Sequence, residues 1–281
     1  MASKNKLSTL GFTLIELLVV ISIIGLISTI VLVSTKGSRD KARLAKVKQF
    51  SSQVSHALGA YAVGIWRFEE GEGIDIHDES GYGNHGTFHG NPTPVFPDGV
   101  YSGTTALQFD GVDDYVDCGN DESLDITNEI TISAWVKPVL DSDFRAIVAH
   151  DMWYHWGMRK ESNNKVYCHM RYSDGSRCTS LYIPTLTAEW QHIAFTWDKT
   201  VASNNAKAYK NGVLVDIETC GVGLDLHASR YDLNIGANHN SEHFNGTIDE
   251  VRIYNRALSA AEIRKYYAAG AAKHGIAIND K

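Results

Sequence analysis

Oxygen-bearing side chains gather in three glycine-marked stretches of this 281-residue chain. DESGYGNHG (78–86) offers Asp78 and Asn84, FDGVDDY (109–115) offers Asp110, Asp113 and Asp114, and NGTIDEV (245–251) offers Asp249. Calcium takes roughly 6–8 oxygens at about 2.3–2.6 Å, a demand that loops with inward-turned carbonyls can meet. Asp and Asn are also good turn formers without any ligand. The twelve histidines show no zinc-ligand spacing. In HDMWYHWGM (150–158), alternation sets Trp153, His155 and Gly157 on one face and Tyr154, Trp156 and Met158 on the other. Trp156 is then expected in a core, and Trp153 with Tyr172 could stack on a sugar ring.

Catalysis finds less support in the residue pattern. Retaining glycoside hydrolysis needs two carboxylates about 5–5.5 Å apart. Asp249 and Glu250 are neighbours, which strand alternation sends to opposite faces. No Ser-His-Asp or Cys-His arrangement can be argued either. The expectation is a protein that is not an enzyme.

Cys118, Cys168, Cys178 and Cys220 form no CxxC motif. Cys168 and Cys178 bracket a hairpin turning at residues 173–176, so they are expected to bridge, which leaves Cys118 for Cys220. Four buried thiols are the alternative reading. An oxidised set would require an oxidising compartment.

Charge divides the chain. Residues 37–62 hold Arg39, Lys41, Arg43, Lys46 and Lys48 against Asp40, whereas residues 63–281 hold 18 Lys/Arg against 31 Asp/Glu. An acidic domain repels a phosphate backbone, so nucleic acid is not an expected partner.

Residues 12–34 run FTLIELLVVISIIGLISTIVLVS, with Glu16 the one charge. As a helix that is about 35 Å, enough to cross a hydrocarbon core of about 30 Å. Leu44, Val47, Phe50, Val54, Leu58, Tyr61 and Ile65 then recur at helical spacing. With no proline before Pro92, the helix is expected to run to about residue 61.

Gly11, Phe12, Thr13, Leu14, Ile15 and Glu16, followed by this apolar run, resemble the type IV prepilin family, including the pseudopilins of type II secretion. The resemblance implies that a prepilin peptidase cuts between Gly11 and Phe12 and methylates the new amine. Glu16 would then pair with a neighbouring subunit's terminal ammonium. That pairing would offset the roughly 2.5–3.5 kcal/mol that an acid costs at a bilayer centre. The family reading places the subunit in the inner membrane before assembly, as a single-pass protein, and afterwards in an extracytoplasmic or cell-surface filament with other pilin subunits.

From Val63 onward, short alternating runs are separated by Gly, Asn and Asp, the pattern of an antiparallel sandwich. Asn211-Gly212 marks a two-residue hairpin. Two sheets closing on one core could bury Trp135, Trp190 and Trp197 without a helix. LSAAEI reads as a helix start, with Ser259 and Glu262 as a capping box. The blocks IWRFEEGEGIDIHDESGYGNHGTF, ALQFDGVDDYVDC, ITISAWVKP, EWQHIAFTWD, YKNGVLV, LNIGAN and FNGTIDEVRIYNRALSAAEI resemble, in that order, the concanavalin A-like, laminin-G-like jelly-roll family. That resemblance implies a two-sheet jelly roll that binds carbohydrate or protein and commonly holds calcium. First and last strands lie side by side in such a fold, so calcium is expected from Asp78, Asn84 and Asp249, with Asp110, Asp113 and Asp114 as weaker candidates.

The expected organisation is a leader (1–11), a pilin-type helix (12–62, spanning at about 12–34), a jelly roll (63–267) and a tail (268–281). The expected function is a pilin-like subunit displaying a lectin-like adhesive domain for a glycan or surface protein. A pseudopilin with a structural or exoprotein-contacting head is the alternative, and a glycan-processing enzyme is disfavoured.

Overall fold

Apolar residues at every second position, backed by β-branched and aromatic side chains, drive residues 62–254 into strands. In the computed structural model the described residues are 18, 21, 22, 59–91, 93–95, 104–151, 155–228, 230–239, 241–271 and 273–276. The chain divides into two units, Met1–Lys46 and Val47–Lys281. In the first, Leu18, Ile21 and Ser22 are helical and exposed, and the Ser22 hydroxyl donates to the Leu18 carbonyl at 2.8 Å. The expected helix over 12–62 otherwise lies outside the described residues up to residue 58. Among the described residues no helix is long and apolar enough to cross a membrane.

The second unit begins with a 3₁₀ turn, Gly59–Tyr61, and passes directly into a strand. Ile65, read above as the last member of a helical stripe, is therefore a strand residue. The strands are β1 (Ala62–Trp66), β2 (Asp75–Ile76), β3 (Gly86–His89), β4 (Thr93–Val95), β5 (Ala106–Asp110) and β6 (Tyr115–Asp117). Next come β7 (Glu129–Pro138), β8 (Arg145–His150), β9 (Trp156–Lys160), β10 (Val166–Arg171), β11 (Arg177–Cys178) and β12 (Tyr182–Ile183). The last are β13 (Gln191–Asp198), β14 (Ala206–Lys210), β15 (Val213–Glu218), β16 (Asn234–Ile235) and β17 (Asn245–Tyr254), before helix α1 (Ala260–Ala271).

They form two antiparallel sheets. One runs β15-β14-β13-β7-β17-β5-β4, with β1 also paired to β17; the other runs β11-β10-β9-β8-β16-β6-β3-β2, with β12 on β10. First and last strands are adjacent, Trp66 opposite Val251. The architecture is an all-β antiparallel sandwich that fits a jelly roll. Asn211 (φ 51°) and Gly212 (φ 74°) both take the left-handed conformation that their two-residue hairpin demands. Trp66, Phe109, Trp156, Met170, Phe195 and Trp197 fill the space between the sheets. Each buried apolar side chain of this size contributes about 1.5–3 kcal/mol.

Trp135 and Trp190 do not join that core. They lie on the outer face of the first sheet with Ala106 and Ala271, under the end of α1. The helix begins as its sequence dictates: Glu262 accepts the Ser259 N–H at 2.8 Å, and the Ser259 hydroxyl accepts the Glu262 N–H at 3.4 Å. It continues past residue 267, and Lys273 and His274 are buried beyond it. The tail expected from residue 268 is thus part of the domain. A Cβ on Gly270 would sit 2.3 Å from Trp135 Nε1. Trp135 is itself held by stacking on His274, with ring centroids 4.2 Å apart. Gly270→Ala gains about 1 kcal/mol of helix propensity but overpacks a rigid contact. We expect a net loss of about 1–3 kcal/mol, read by denaturant unfolding; a neutral variant would refute the contact.

Candidate functional site

Asp78 lies in the turn after β2, and its carboxylate fastens that loop to β1. Oδ1 accepts the backbone N–H of Ile65 at 2.9 Å and of Ser80 at 2.8 Å. Oδ2 accepts the Asn84 N–H at 2.9 Å and the Ser80 hydroxyl at 2.6 Å. Four donors fill the roughly four acceptor positions a carboxylate owns. Asn84 Nδ2 donates to the Val63 carbonyl and the Ser123 hydroxyl, and the Asn84 carbonyl accepts Trp66 Nε1–H. These residues form a buried structural knot.

Asp249 is fully buried elsewhere in the domain. Lys273 Nζ approaches its Oδ2 at 2.9 Å, and His274 Nε2 lies 2.8 Å from the same oxygen. Lys273 also reaches Glu69 at 2.6 Å. Asp78, Asn84 and Asp249 therefore do not converge as a cation site, although their strands are neighbours. Alternation also fails at Asp249-Glu250. A bulge between Asp249 and Arg252, with Glu250 at φ 47°, brings both acids toward Lys273, Glu250 at 4.0 Å. Glu250 is further paired with Arg252 at 2.9 Å. Sequence reasoning missed this ion cluster because Lys273 and His274 lie in what read as a tail.

The weaker candidates do assemble. Asp110, Asp113 and Asp114 each bring a carboxylate oxygen within 4.8 Å of the others, at the turn between β5 and β6. Asp114 is buried and accepts the N–H of Asn91 and of Asp110, both at 2.9 Å. Burial, and secondarily the charges of Asp110 and Asp113, push its pKa up. A cation would relieve that repulsion, and an all-oxygen donor set suits a hard divalent ion. Arg145 Nη1 fixes the turn by donating to the Gly111 and His243 carbonyls. Gly90 (φ 88°) permits the close approach, since a Cβ there would meet Asp114 Oδ1 at 2.2 Å.

The aromatic and cysteine expectations are corrected in part. Trp156 is in the core. Trp153 lies outside the described residues. Tyr172 is 1% exposed and packs on Trp197 at 5.5 Å, so it offers no face to a sugar. The disulfide joins Cys178 to Cys220, 42 residues apart, while Cys118 and Cys168 are buried free thiols. The hairpin expectation failed because Met170, rather than Cys168, stands opposite Cys178. Burial, aided at Cys168 by the charge of Asp216 and at Cys118 by Asp117 and Asp78, pushes both thiols well above their usual range. Gly11, Phe12 and Glu16 lie outside the described residues.

The two-sheet architecture has relatives. A family profile described as the concanavalin A-like lectin/glucanases superfamily matches residues 110–264, over half the chain. The chain belongs to this superfamily. A second profile, the prokaryotic N-terminal methylation motif, matches residues 8–32, so the lectin/glucanase domain is joined to a prepilin-type start. The human (Homo sapiens) Adhesion G-protein coupled receptor D1 is 34% identical over 90 residues, 31% of this chain and 10% of the receptor. The lectin/glucanase domain also resembles the binding domain of Paraclostridial Mosquitocidal Protein 1, at 18% identity and TM-score 0.58, over 74% of this chain and 52% of that one. The botulinum neurotoxin serotype D binding domain matches at 16% identity and TM-score 0.60, over 75% and 52%. The chain spans about a tenth of the receptor and about half of the toxin domains, and the likeness to the toxins shows the fold alone.

Proposed function

We propose that this chain is a pilin-like filament subunit displaying a lectin-like domain that binds a glycan or a surface protein. The observation that carries the reading is the fusion itself: a methylation motif at residues 8–32 and a lectin-superfamily sandwich at 110–264. In this reading the N-terminal helix inserts in the inner membrane, prepilin peptidase cuts after Gly11, and Glu16 pairs with the amine of a neighbouring subunit. Cell-surface filaments then carry the sandwich outward. The adjacent acids Asp249 and Glu250, buried against Lys273 and Arg252, are not available as a hydrolytic pair, which supports a binding role over glycan processing.

Mass spectrometry should find a mature chain beginning at methylated Phe12. Glu16→Leu should insert normally yet be lost from filaments, since it removes an ion partner and keeps the apolar span. An unprocessed Met1 start, or normal incorporation of Glu16→Leu, would defeat the assembly half of the proposal. Immunogold labelling separates the surface filament from a secretion pseudopilus, in which filaments would stay unlabelled.

Calcium belongs to the proposal at Asp110, Asp113 and Asp114. An ion that binds only the folded domain stabilises it by about 2.7 kcal/mol at one hundred times its dissociation constant. Chelation should lower the melting temperature, calcium should restore it, and Asp113→Asn should abolish the response. A melt indifferent to chelator and calcium would remove the ion from the reading.

A further inference from the structure

Val112 is 70% exposed, the barest large apolar side chain among the described residues. It stands in the turn between β5 and β6, and Val139, Leu140 and Phe144 are exposed in the loop between β7 and β8. Strand register sets both loops at one end of the sandwich. Gly246 of β17 stands opposite Phe109 of β5 on one side and Pro138 of β7 on the other. The loops therefore leave strands two steps apart, about 10 Å. Arg145 ties them together. Its Nη1 donates to the Gly111 carbonyl at 2.8 Å, and its Nη2 reaches Asp141 at 2.9 Å and Asp143 at 2.7 Å.

Polar groups of these loops turn inward. Lys160 Nζ, on a fully buried side chain, donates to the Asp141 and Asp143 carbonyls, both at 3.0 Å, and to Asp141 Oδ1 at 2.8 Å. In the other loop Asp110 Oδ1 accepts the Val112 N–H at 2.7 Å. Each backbone is thus held from within while its apolar side chains face solvent. Single exposed apolar residues are ordinary, but four on two loops joined by one guanidinium form a contact surface. The opposite end of the sandwich receives the chain, where Ala62 pairs with Tyr254, the last residue of β17. At about 3.4 Å per residue, β17 sets the two ends about 30 Å apart.

We propose that this end docks on a phospholipid bilayer, with Val112, Val139, Leu140 and Phe144 entering the headgroup boundary and Asp110 and Asp113 facing anionic phosphates through calcium. A protein partner would need a pocket matched to two separate convex tips. A fluid bilayer takes such tips without a matched pocket, and apolar side chains flanked by charge sit at its headgroup level. Val112 lies between Asp110 and Asp113 in the chain, so a surface that Val112 enters also meets their carboxylates. Alone they repel a lipid phosphate. Calcium takes about 6–8 oxygens, more than these acids need supply, which leaves positions for phosphate oxygens. Docking here leaves Ala62, where the chain enters, on the side away from the lipid. This contact lies beyond the glycan or surface-protein reading and depends on it only for the calcium at Asp110, Asp113 and Asp114.

The test holds the full chain in nanodiscs of phosphatidylcholine and offers it separate vesicles of equal parts phosphatidylcholine and phosphatidylserine, which are then pelleted. With calcium the vesicles should carry the chain down. A chelator, or vesicles of phosphatidylcholine alone, should weaken binding about tenfold or more. Val112→Ser and Leu140→Ser should each weaken it about tenfold, with unchanged melting temperatures because both side chains are exposed. Val213→Ser and Ile217→Ser remove exposed apolar side chains from β15 and should leave binding intact. Wild-type binding by both loop variants, or an equal loss in the β15 variants, overturns the docking surface. Binding that needs Val112 but is indifferent to chelator overturns the calcium half. Failure of the wild-type chain to bind these vesicles in calcium overturns the whole inference; the melting response to calcium and the filament labelling then decide the earlier reading on their own.

Discussion

The domain should lose most of its stability between pH 7.5 and about 5. Burial is the main cause that lowers His150, His169 and His192 to about 3 and His155 to about 4. An unfolded histidine titrates near 6.5. Below that pH the unfolded chain takes up protons that the fold refuses. Stability is therefore complete above about pH 6.5 and falls as the pH drops toward the folded values. Each histidine contributes about 1.4 kcal/mol per pH unit across that window. At pH 5.5 the four together amount to about 5 kcal/mol, comparable to the whole stability of many domains, about 5–15 kcal/mol. The melting temperature should fall by roughly 10–20 °C from pH 7.5 to 5.5. His192→Gln should flatten the slope by about one proton. A melting temperature unchanged across this range would refute the burial of neutral imidazoles. A second loss should follow below about pH 4.3: burial would raise Glu250, but Arg252, Lys273 and His274 outweigh it and hold it at about 2.

Lys273→Met should be the most damaging single substitution at the ion cluster, costing about 3–5 kcal/mol. It strips the cation from Asp249, at 2.9 Å, and from Glu69, at 2.6 Å, leaving a buried carboxylate with His274 as its remaining ionic partner. The charges of Asp249, Glu250 and Glu69 outweigh burial and hold the Lys273 pKa above its usual range. A second change, Asp249→Asn, removes the stranded charge and should recover part of the loss. Denaturant unfolding of both single variants and the double closes the cycle. Additive losses would mean that the two side chains do not act as a pair.

Local residue pattern was enough to find the longest strands. TISAWVKP, KVYCHMRY, WQHIAFTWD and GTIDEVRIYN fall within or at the edges of β7, β10, β13 and β17, because a half-buried strand must alternate. The Asn211-Gly212 hairpin and the Ser259-Glu262 cap were equally legible, since each satisfies backbone groups within four residues. The prepilin-type start was readable for the same reason: its signal is a contiguous run of residue types at 8–32.

Which distant groups meet was not legible. Asp78 looked like a cation ligand, yet backbone N–H groups from β1 and its own loop saturate it. Asp249 looked like its partner across adjacent strands, yet Lys273 and His274 fold back over 20 residues later. Cys178 met Cys220 instead of Cys168, and Tyr172 turned to Trp197 instead of solvent. The acids at 110, 113 and 114 came together because the spacing itself forces them into one turn. Sequence by itself determined what each residue could do within a few positions of its own backbone. The tertiary structure alone decided which donor, cation or ring each buried group would face, because those partners are brought in by sheet order, and short-range periodicity carries no record of it.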